Sequence, residues 1–334
     1  RLGVSDRHLR RIFEAQLGVS PLQYLQTRRL LCAKQLLTDT DLPVTRIALA
    51  SGFGSLRRFN AAFADHYGLN PTRLRRQAPA REGRGVVVRL GYRPPYQVDA
   101  MLAFVAQRGI AGQSFAHPAE RLVGQTLRLT AGATRQSGWL TARFDPVEPV
   151  VWLRVSDSLC DALPVVIARV RAWLDLDADP AIIDACLSSP VDGYNAASMG
   201  ALAGLRVPGC LDGFELAVRA ILGQQITVAA ARTLGQRLVE RFGEPLTTPF
   251  PALDRLFPSA ETLARADGEA LGQLGIVRQR QAAMTSLARV VADGTLPLDA
   301  SADVPATLAA LTALPGIGDW TAQYIALRAL RWPD

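Results

Sequence analysis

The chain has 334 residues, 49% of them hydrophobic and 20% charged, with a net charge of +7. That length suits two or three domains of roughly 150 residues each, and no run of about 18 uninterrupted apolar residues argues for a membrane span. The positive charge is concentrated: residues 1–85 carry +9 and the remainder carries −2, an electrostatic footprint for nucleic acid at the front of the chain. Cys32, Cys160, Cys186 and Cys210 form no Cys-x-x-Cys pair, and His8, His66 and His117 stand far apart. Zinc and disulfide frameworks are therefore not expected, and the cysteine usage suits a reducing cytoplasm. The opening residues, Arg1 to Ser5, read as the middle of a domain, so the chain is expected to be a fragment.

In chain order, residues 5–14 predict a helix capped by Ser5, with Leu9, Ile12 and Phe13 on one apolar face. Arg7, His8, Arg10 and Arg11 lie largely on the other side. A second helix follows Pro21 and runs to about Leu37. The opening pattern then recurs. Val44–Ala50 form a short apolar helix, Ser51-Gly52-Phe53-Gly54 make a turn, and Ser55 caps a helix from Leu56 to Tyr67 that carries Arg57, Arg58 and Asn60. A short helix, a glycine turn and a second basic helix make a helix-turn-helix, whose second helix enters the major groove.

The run Gly52-Phe53-x-Ser55-x-x-x-Phe59-x-x-x-Phe63, with Gly68-Leu69-Asn70-Pro71-Thr72, resembles the AraC/XylS regulator family. The resemblance implies two helix-turn-helix units joined by a linking helix, the first lacking its leading helix. It makes Arg7, His8, Arg10, Arg11, Ser55, Arg57, Arg58 and Asn60 candidate DNA contacts. Which of them meet bases and which meet phosphates is left open.

Residues 77–85 mix Pro, Gly and charge and are expected to be a linker. Strand-prone runs follow at Val86–Tyr92, Leu122–Thr130, Trp139–Phe144 and Val150–Val155, with a helix at Val98–Gln107. They predict a small antiparallel sheet with a helix against it, then helices near Pro164–Leu174 and Pro180–Leu187. Arg93-Pro94-Pro95-Tyr96, followed by Met101, Leu102 and Phe104, resembles the N-terminal domain of AlkA-type 3-methyladenine DNA glycosylases.

Residues 206–334 read as mostly helical. The run from Arg206 to Gln225 again resembles AlkA-type enzymes. The resemblance places Gln225 at or beside the wedge that fills the gap left by a flipped base, with Gln224 next to it; the family often has an apolar side chain at this position. Gln224 and Gln225 can also be read as a helix-terminal polar pair.

Leu314-Pro315-Gly316-Ile317-Gly318-Asp319-Trp320-Thr321-Ala322 reads as a tight glycine turn opening into a helix. Gly316 and Gly318 permit unusual backbone angles. The turn leaves free N–H groups at a helix start, which hold phosphate without a basic side chain. The pattern resembles the hairpin of helix-hairpin-helix DNA glycosylases, and makes Leu314, Gly316, Ile317, Gly318 and Thr321 candidate DNA contacts. Trp320 and Tyr324 share one helix face. An electron-rich aromatic face attracts a cationic alkylated purine by roughly 0.5–2 kcal/mol, so this pair is a candidate base pocket. A monovalent cation held by hairpin carbonyls is also implied by the family, and no other cofactor is expected.

The chain holds a single lysine, Lys34. Glycosylases of this superfamily that also cut the backbone use a lysine Schiff base two positions after the second hairpin glycine, where this chain has Trp320. The resemblance therefore implies a monofunctional glycosylase with water as nucleophile. The family's aspartate, which stabilises the cationic sugar, is expected about six residues past Asp334, with Asp319 read as a helix cap.

The expected architecture is multidomain and mainly α. An all-α AraC-type double helix-turn-helix domain spans residues 1–78 and a linker residues 79–85. An α+β antiparallel-sheet domain spans 86–195, and an all-α helix-hairpin-helix glycosylase domain 196–334. The combination resembles Ada-type regulators fused to AlkA-type glycosylases. It implies an alkylation-damage response protein of the bacterial cytoplasm, working on double-stranded DNA at a promoter operator and at alkylated bases, with RNA polymerase as a partner and no membrane. The alternative is a transcription regulator whose C-terminal domain binds DNA or senses a signal without catalysis.

Overall fold

The computed structural model describes residues 5–40, 42–74, 85–131, 134–187 and 202–332. The linker expected at 79–85 (apart from Gly85), the boundary expected near 195, and Asp334 lie outside the described residues.

The first domain has helices α1 (Asp6–Leu17), α2 (Pro21–Asp39), α3 (Val44–Ala50), α4 (Leu56–Tyr67) and α5 (Pro71–Leu74). Ser5, Gly18 and Pro21 recur fifty positions on as Ser55, Gly68 and Pro71, and the recurrence has a structural cause. Ser5 and Ser55 each accept the backbone N–H three residues ahead, from His8 and Arg58, at 3.3 Å. Gly18 and Gly68 each close the helix in the left-handed region at φ 69°, which a side chain resists. The long middle helix begins with a capping box between Ser20 and Gln23.

The two copies differ in cover. In the second, α3 packs across α4, and Phe59 and Phe63 are fully buried. In the first, α1 has no buried residue, and Ile12 and Leu17 stay 42% and 50% exposed. Phe63→Ala is expected to destabilise this domain by about 3–5 kcal/mol, and the matching Phe13→Ala by much less. Hydrogen exchange of the amides in α2 to α4 checks both.

The second domain is a five-stranded sheet of order β1-β5-β4-β3-β2, antiparallel throughout: β1 (Val86–Gly91), β2 (Ser114–His117), β3 (Leu122–Ala131), β4 (Thr134–Phe144) and β5 (Val150–Val155). Helix α6 (Val98–Arg108) packs on β2 and β3. Helices α7 (Leu163–Trp173) and α8 (Pro180–Leu187) follow. Two strands differ from expectation: β2 is a four-residue edge strand with no counterpart among the expected runs, and β4 begins five residues before Trp139. Its polar stretch Thr134–Gly138 lacks the alternation that marks a half-buried strand. The first two domains are packed together. Helix α2 lies against β1, α3 lies against the turn of 3₁₀ helix at Asp157–Ala162, and Arg46 approaches Asp161 at 3.5 Å.

The third domain is helical: α9 (Gly213–Leu222), α10 (Val228–Phe242), α11 (Ala260–Ala264), α12 (Gly268–Gln273), α13 (Arg278–Ala292), α14 (Val304–Thr312) and α15 (Asp319–Ile325). The last helix runs into a π turn at Ala326–Leu330. Helix α9 is the hub. Leu216, Ala217, Val218, Ala220, Ile221 and Leu222 are all buried, and the helix packs on α10, α13 and α15. A helix apolar on nearly every side belongs at the centre of its domain.

Candidate active site and nucleic-acid interface

The hairpin is an exposed turn between α14 and α15. Gly316 has φ +77°, and a Cβ there would come within 3.1 Å of the Ala283 side chain on α13. The angle thus favours glycine at 316, and a side chain there would also crowd Ala283. Gly318 differs from the expectation: its φ of −90° and ψ of 173° are open to any residue, and nothing lies within 4 Å of a Cβ built there. It serves as the N-cap of α15. Asp319 is therefore not the cap but the first helical residue, and no side chain caps this helix. Among the described residues, the N–H groups of Gly318, Asp319 and Trp320 have no acceptor, and they stand at the positive end of the helix.

Two of the candidate hairpin contacts are turned inward. Ile317 is 4% exposed and anchors the turn in the core, so only its backbone is open to a ligand. Thr321 is 4% exposed, and its Oγ1 accepts from Gln224 Nε2 at 3.1 Å. The same Gln224 amide donates to the Gly316 carbonyl at 2.9 Å, while Arg280 donates to the Gln224 carbonyl. Gln224 therefore pins the hairpin to the end of α9 through its side-chain Nε2. Gln225 is exposed with φ 54°, in the left-handed region that a non-glycine residue adopts at a cost. Leu314 is half-buried beside the turn.

Next to the hairpin is a cavity of about 400 Å³ between the second and third domains. Trp320 and Tyr324 form one wall. Their rings are stacked, with centroids 5.5 Å apart and planes 10° from parallel, and Trp320 is 73% exposed. Phe104 from α6 and Trp173 from α7 add aromatic surface. Gly223 and Ile226, on either side of the Gln224–Gln225 pair, also line the cavity, whereas neither glutamine does.

Polar side chains also line the cavity, beside Tyr324 as well as around Glu215. Arg328 donates to the Tyr324 hydroxyl, to Pro208 O at 2.7 Å and to Gly209 O at 2.9 Å. Glu215 on α9 is fully enclosed. It accepts from Arg219 at 2.9 Å, from Gln113 at 2.7 Å and from Gln125 at 3.2 Å, and Arg219 also donates to the Arg108 carbonyl. Asp212 accepts the Glu215 N–H at 2.8 Å and so caps α9. The only signal available for this lining was the Glu215/Arg219 spacing of four, which is common on exposed helices.

Burial pushes the Glu215 carboxyl above its usual range, with the Arg219 charge working against that rise. A carboxyl raised on folding binds its proton more tightly in the native state. Its contribution to stability is full below the unfolded value of about 4.3 and is lost as pH rises through the folded value. The melting temperature of the wild type, relative to Glu215→Gln, is expected to fall between pH 4 and pH 8. A relative rise would show that the Arg219 pair outweighs burial.

In the first domain, Arg7, His8, Arg10, Arg11, Arg57, Arg58 and Asn60 are exposed on α1 and α4. Arg11 approaches His8 Nδ1 at 3.0 Å, and Arg10 approaches Glu14 at 3.5 Å. The Ser55 hydroxyl is already engaged as a helix cap. Lys34 lies on α2 with its Nζ 5.3 Å from the centroid of the Tyr67 ring, in the first domain and away from the cavity.

Three family models match in series: a helix-turn-helix domain over residues 1–77, the AlkA N-terminal domain over 87–212, and the HhH-GPD superfamily of base excision DNA repair proteins over 218–327. The chain is 37% identical over 341 residues to a Mycobacterium tuberculosis (H37Rv) protein named probable bifunctional transcriptional activator/DNA repair enzyme AlkA. That alignment takes in 100% of this chain and 66% of the relative, so the chain spans slightly under two thirds of that protein's length. It is 34% identical over 246 residues to DNA-3-methyladenine glycosylase 2 of Escherichia coli (strain K12), covering 73% of this chain and 81% of that protein. The solved structure of a 3-methyladenine DNA glycosylase from Archaeoglobus fulgidus shares the fold. Its TM-score is 0.58 at 17% identity, over 73% of this chain and 79% of that one. The chain belongs to the AlkA-type DNA-3-methyladenine glycosylase 2 family of helix-hairpin-helix proteins, with an AraC-type helix-turn-helix domain at its front.

Proposed function

We propose that this protein is a monofunctional DNA glycosylase that excises 3-methyladenine and related alkylated bases, fused to a sequence-specific transcription regulator. The observation that carries the reading is the stacked Trp320/Tyr324 pair, which opens a cavity directly after the hairpin. Chemistry on a base within a duplex requires the base to be extruded. The hairpin's free N–H groups suit a backbone phosphate beside the extruded nucleotide, and the aromatic faces suit an electron-poor ring. Gln225, exposed between the cavity-lining residues Gly223 and Ile226, is the residue proposed to fill the vacated stack.

The sequence offers no lysine amine near the cavity, since Lys34 stands in the first domain. Water is therefore the proposed nucleophile. The two carboxyl side chains lining the cavity, Asp212 and Glu215, are committed to a helix cap and to a buried ion pair. The aspartate that stabilises the cationic sugar is proposed to follow the hairpin helix, as the family resemblance implies. A monovalent cation at the hairpin carbonyls is proposed on the family resemblance alone, and no step is routed through it.

The exposed basic faces of α1 and α4 support operator binding, with RNA polymerase contacts at the promoter as the regulatory output and the cytoplasmic chromosome as the workplace. The test uses the protein expressed from its whole reading frame. Free 3-methyladenine is expected from methylated duplex DNA, with no strand cleavage before alkali. Cleavage without alkali would overturn the monofunctional assignment.

A further inference from the structure

Charge is divided unevenly between the two DNA-directed parts of the chain. Residues 314–322, which form the hairpin and open its helix, contain no basic side chain and one carboxylate, the exposed Asp319. Arg280 donates to the Gln224 carbonyl, Arg219 is paired with Glu215, and Arg328 donates to the carbonyls of Pro208 and Gly209. Exposed arginines do occur in the third domain, Arg232 and Arg278 among them, but residues 86–334 sum to −2. The first domain is the reverse. Residues 1–85 carry +9, and Arg7, Arg11, Arg57 and Arg58 are exposed on α1 and α4. Among the described residues none of these four is in an ion pair, whereas Arg10 approaches Glu14 and Arg46 approaches Asp161.

The basic domain is also fixed to the rest of the protein. Helix α2 packs on β1, and α3 packs on the 3₁₀ turn Asp157–Ala162. The buried side chains of the two domains form one cluster that runs from Leu30 and Phe63 to Val86 and Leu163. A domain held this way does not trail on a tether, and a duplex bound at one surface meets the other at high effective concentration. Exposed charges are screened over about 8 Å at physiological salt, so these guanidinium groups act by touching phosphates rather than by drawing DNA in from afar. Phosphate contacts carry no sequence information and supply essentially all of non-specific affinity. We propose that the helix-turn-helix domain has a second task beyond operator binding: it supplies the sequence-independent grip on the duplex with which the rest of the protein excises a base. The proposal rests on the base-excision reading above. The hairpin and cavity select the nucleotide, and the arginines of α1 and α4 hold the DNA on which it lies.

The test uses the protein from its whole reading frame and a variant combining Arg7→Gln, Arg11→Gln, Arg57→Gln and Arg58→Gln, with the α1 pair and the α4 pair also made separately. Single-turnover release of 3-methyladenine is followed against protein concentration on two methylated synthetic duplexes of unrelated sequence, at several salt concentrations. The combined variant is expected to need about tenfold more protein for half-saturation on both duplexes, and its log–log salt slope to be shallower by about 2–4, since each phosphate contact contributes about 0.9. Each pair alone is expected to give an intermediate shift. A half-saturating concentration and salt slope equal to wild type would overturn the proposal and leave the domain to operators, with base excision standing. A shift on one duplex only would overturn it as well, because that is sequence-specific binding. So would a fall in the maximal rate at unchanged half-saturation, which marks a structural effect. A wild type that releases no base overturns the base-excision reading itself and this proposal with it.

Discussion

Replacing Trp320 with alanine is expected to cut 3-methyladenine release (kcat/KM) by about 10- to 100-fold without unfolding the protein. Stacking of a base on an aromatic ring is worth about 1–3 kcal/mol, and each 1.4 kcal/mol is about tenfold in rate. Folding is spared because Trp320 is 73% exposed and supports no core. Its ring lies parallel to that of Tyr324, so the variant opens one face of the cavity and keeps the other. Single-turnover release from methylated DNA, beside a melting curve, separates the two effects. A variant that melts like wild type and releases base at the wild-type rate would remove Trp320 from the pocket.

Arg219→Met is expected to act on stability instead, at about 3–5 kcal/mol near neutral pH. Glu215 would then face the interior with two glutamine amides and no cation, and the Arg108 carbonyl would lose its donor. Adding Glu215→Gln to Arg219→Met is expected to return a large part of the loss, because the uncompensated charge goes with it. Denaturant unfolding at pH 7.5 checks both variants. A loss below about 1 kcal/mol, the level of an exposed pair, would mean that water reaches the carboxylate.

The parts of the fold that the sequence made legible are those governed by local rules. Serine caps and left-handed glycines mark α1 and α4, and valine-rich openings mark β1 and β5. The hairpin was legible because a turn with glycine at a positive φ leaves few alternatives at Gly316. What stayed hidden was set by distant neighbours. The family resemblance sets Gln224 beside the wedge, yet its Nε2 is taken up by a hairpin 92 positions away. Gly318 looked conformationally special and is not. The polar lining of the cavity brings together Arg108, Gln125 and Glu215, with Gln113 hydrogen-bonded to Glu215, from both sides of a domain boundary. No periodicity announces such a meeting, because each partner is ordinary in its own segment. The Glu215/Arg219 pair shows the limit: the same spacing on a solvated helix contributes little, and only burial makes it costly to break.

In the proposed function a glycine hairpin grips the strand while the adjoining cavity receives an extruded base. The most direct measurement is a crystal structure of the protein on a duplex carrying a non-hydrolysable analogue of an alkylated purine nucleotide. The analogue is expected out of the stack against Trp320 and Tyr324, with N–H groups of Gly318 to Trp320 within about 3.2 Å of a neighbouring phosphate. A duplex bound with every base still stacked and residues 314–320 away from the backbone would contradict it.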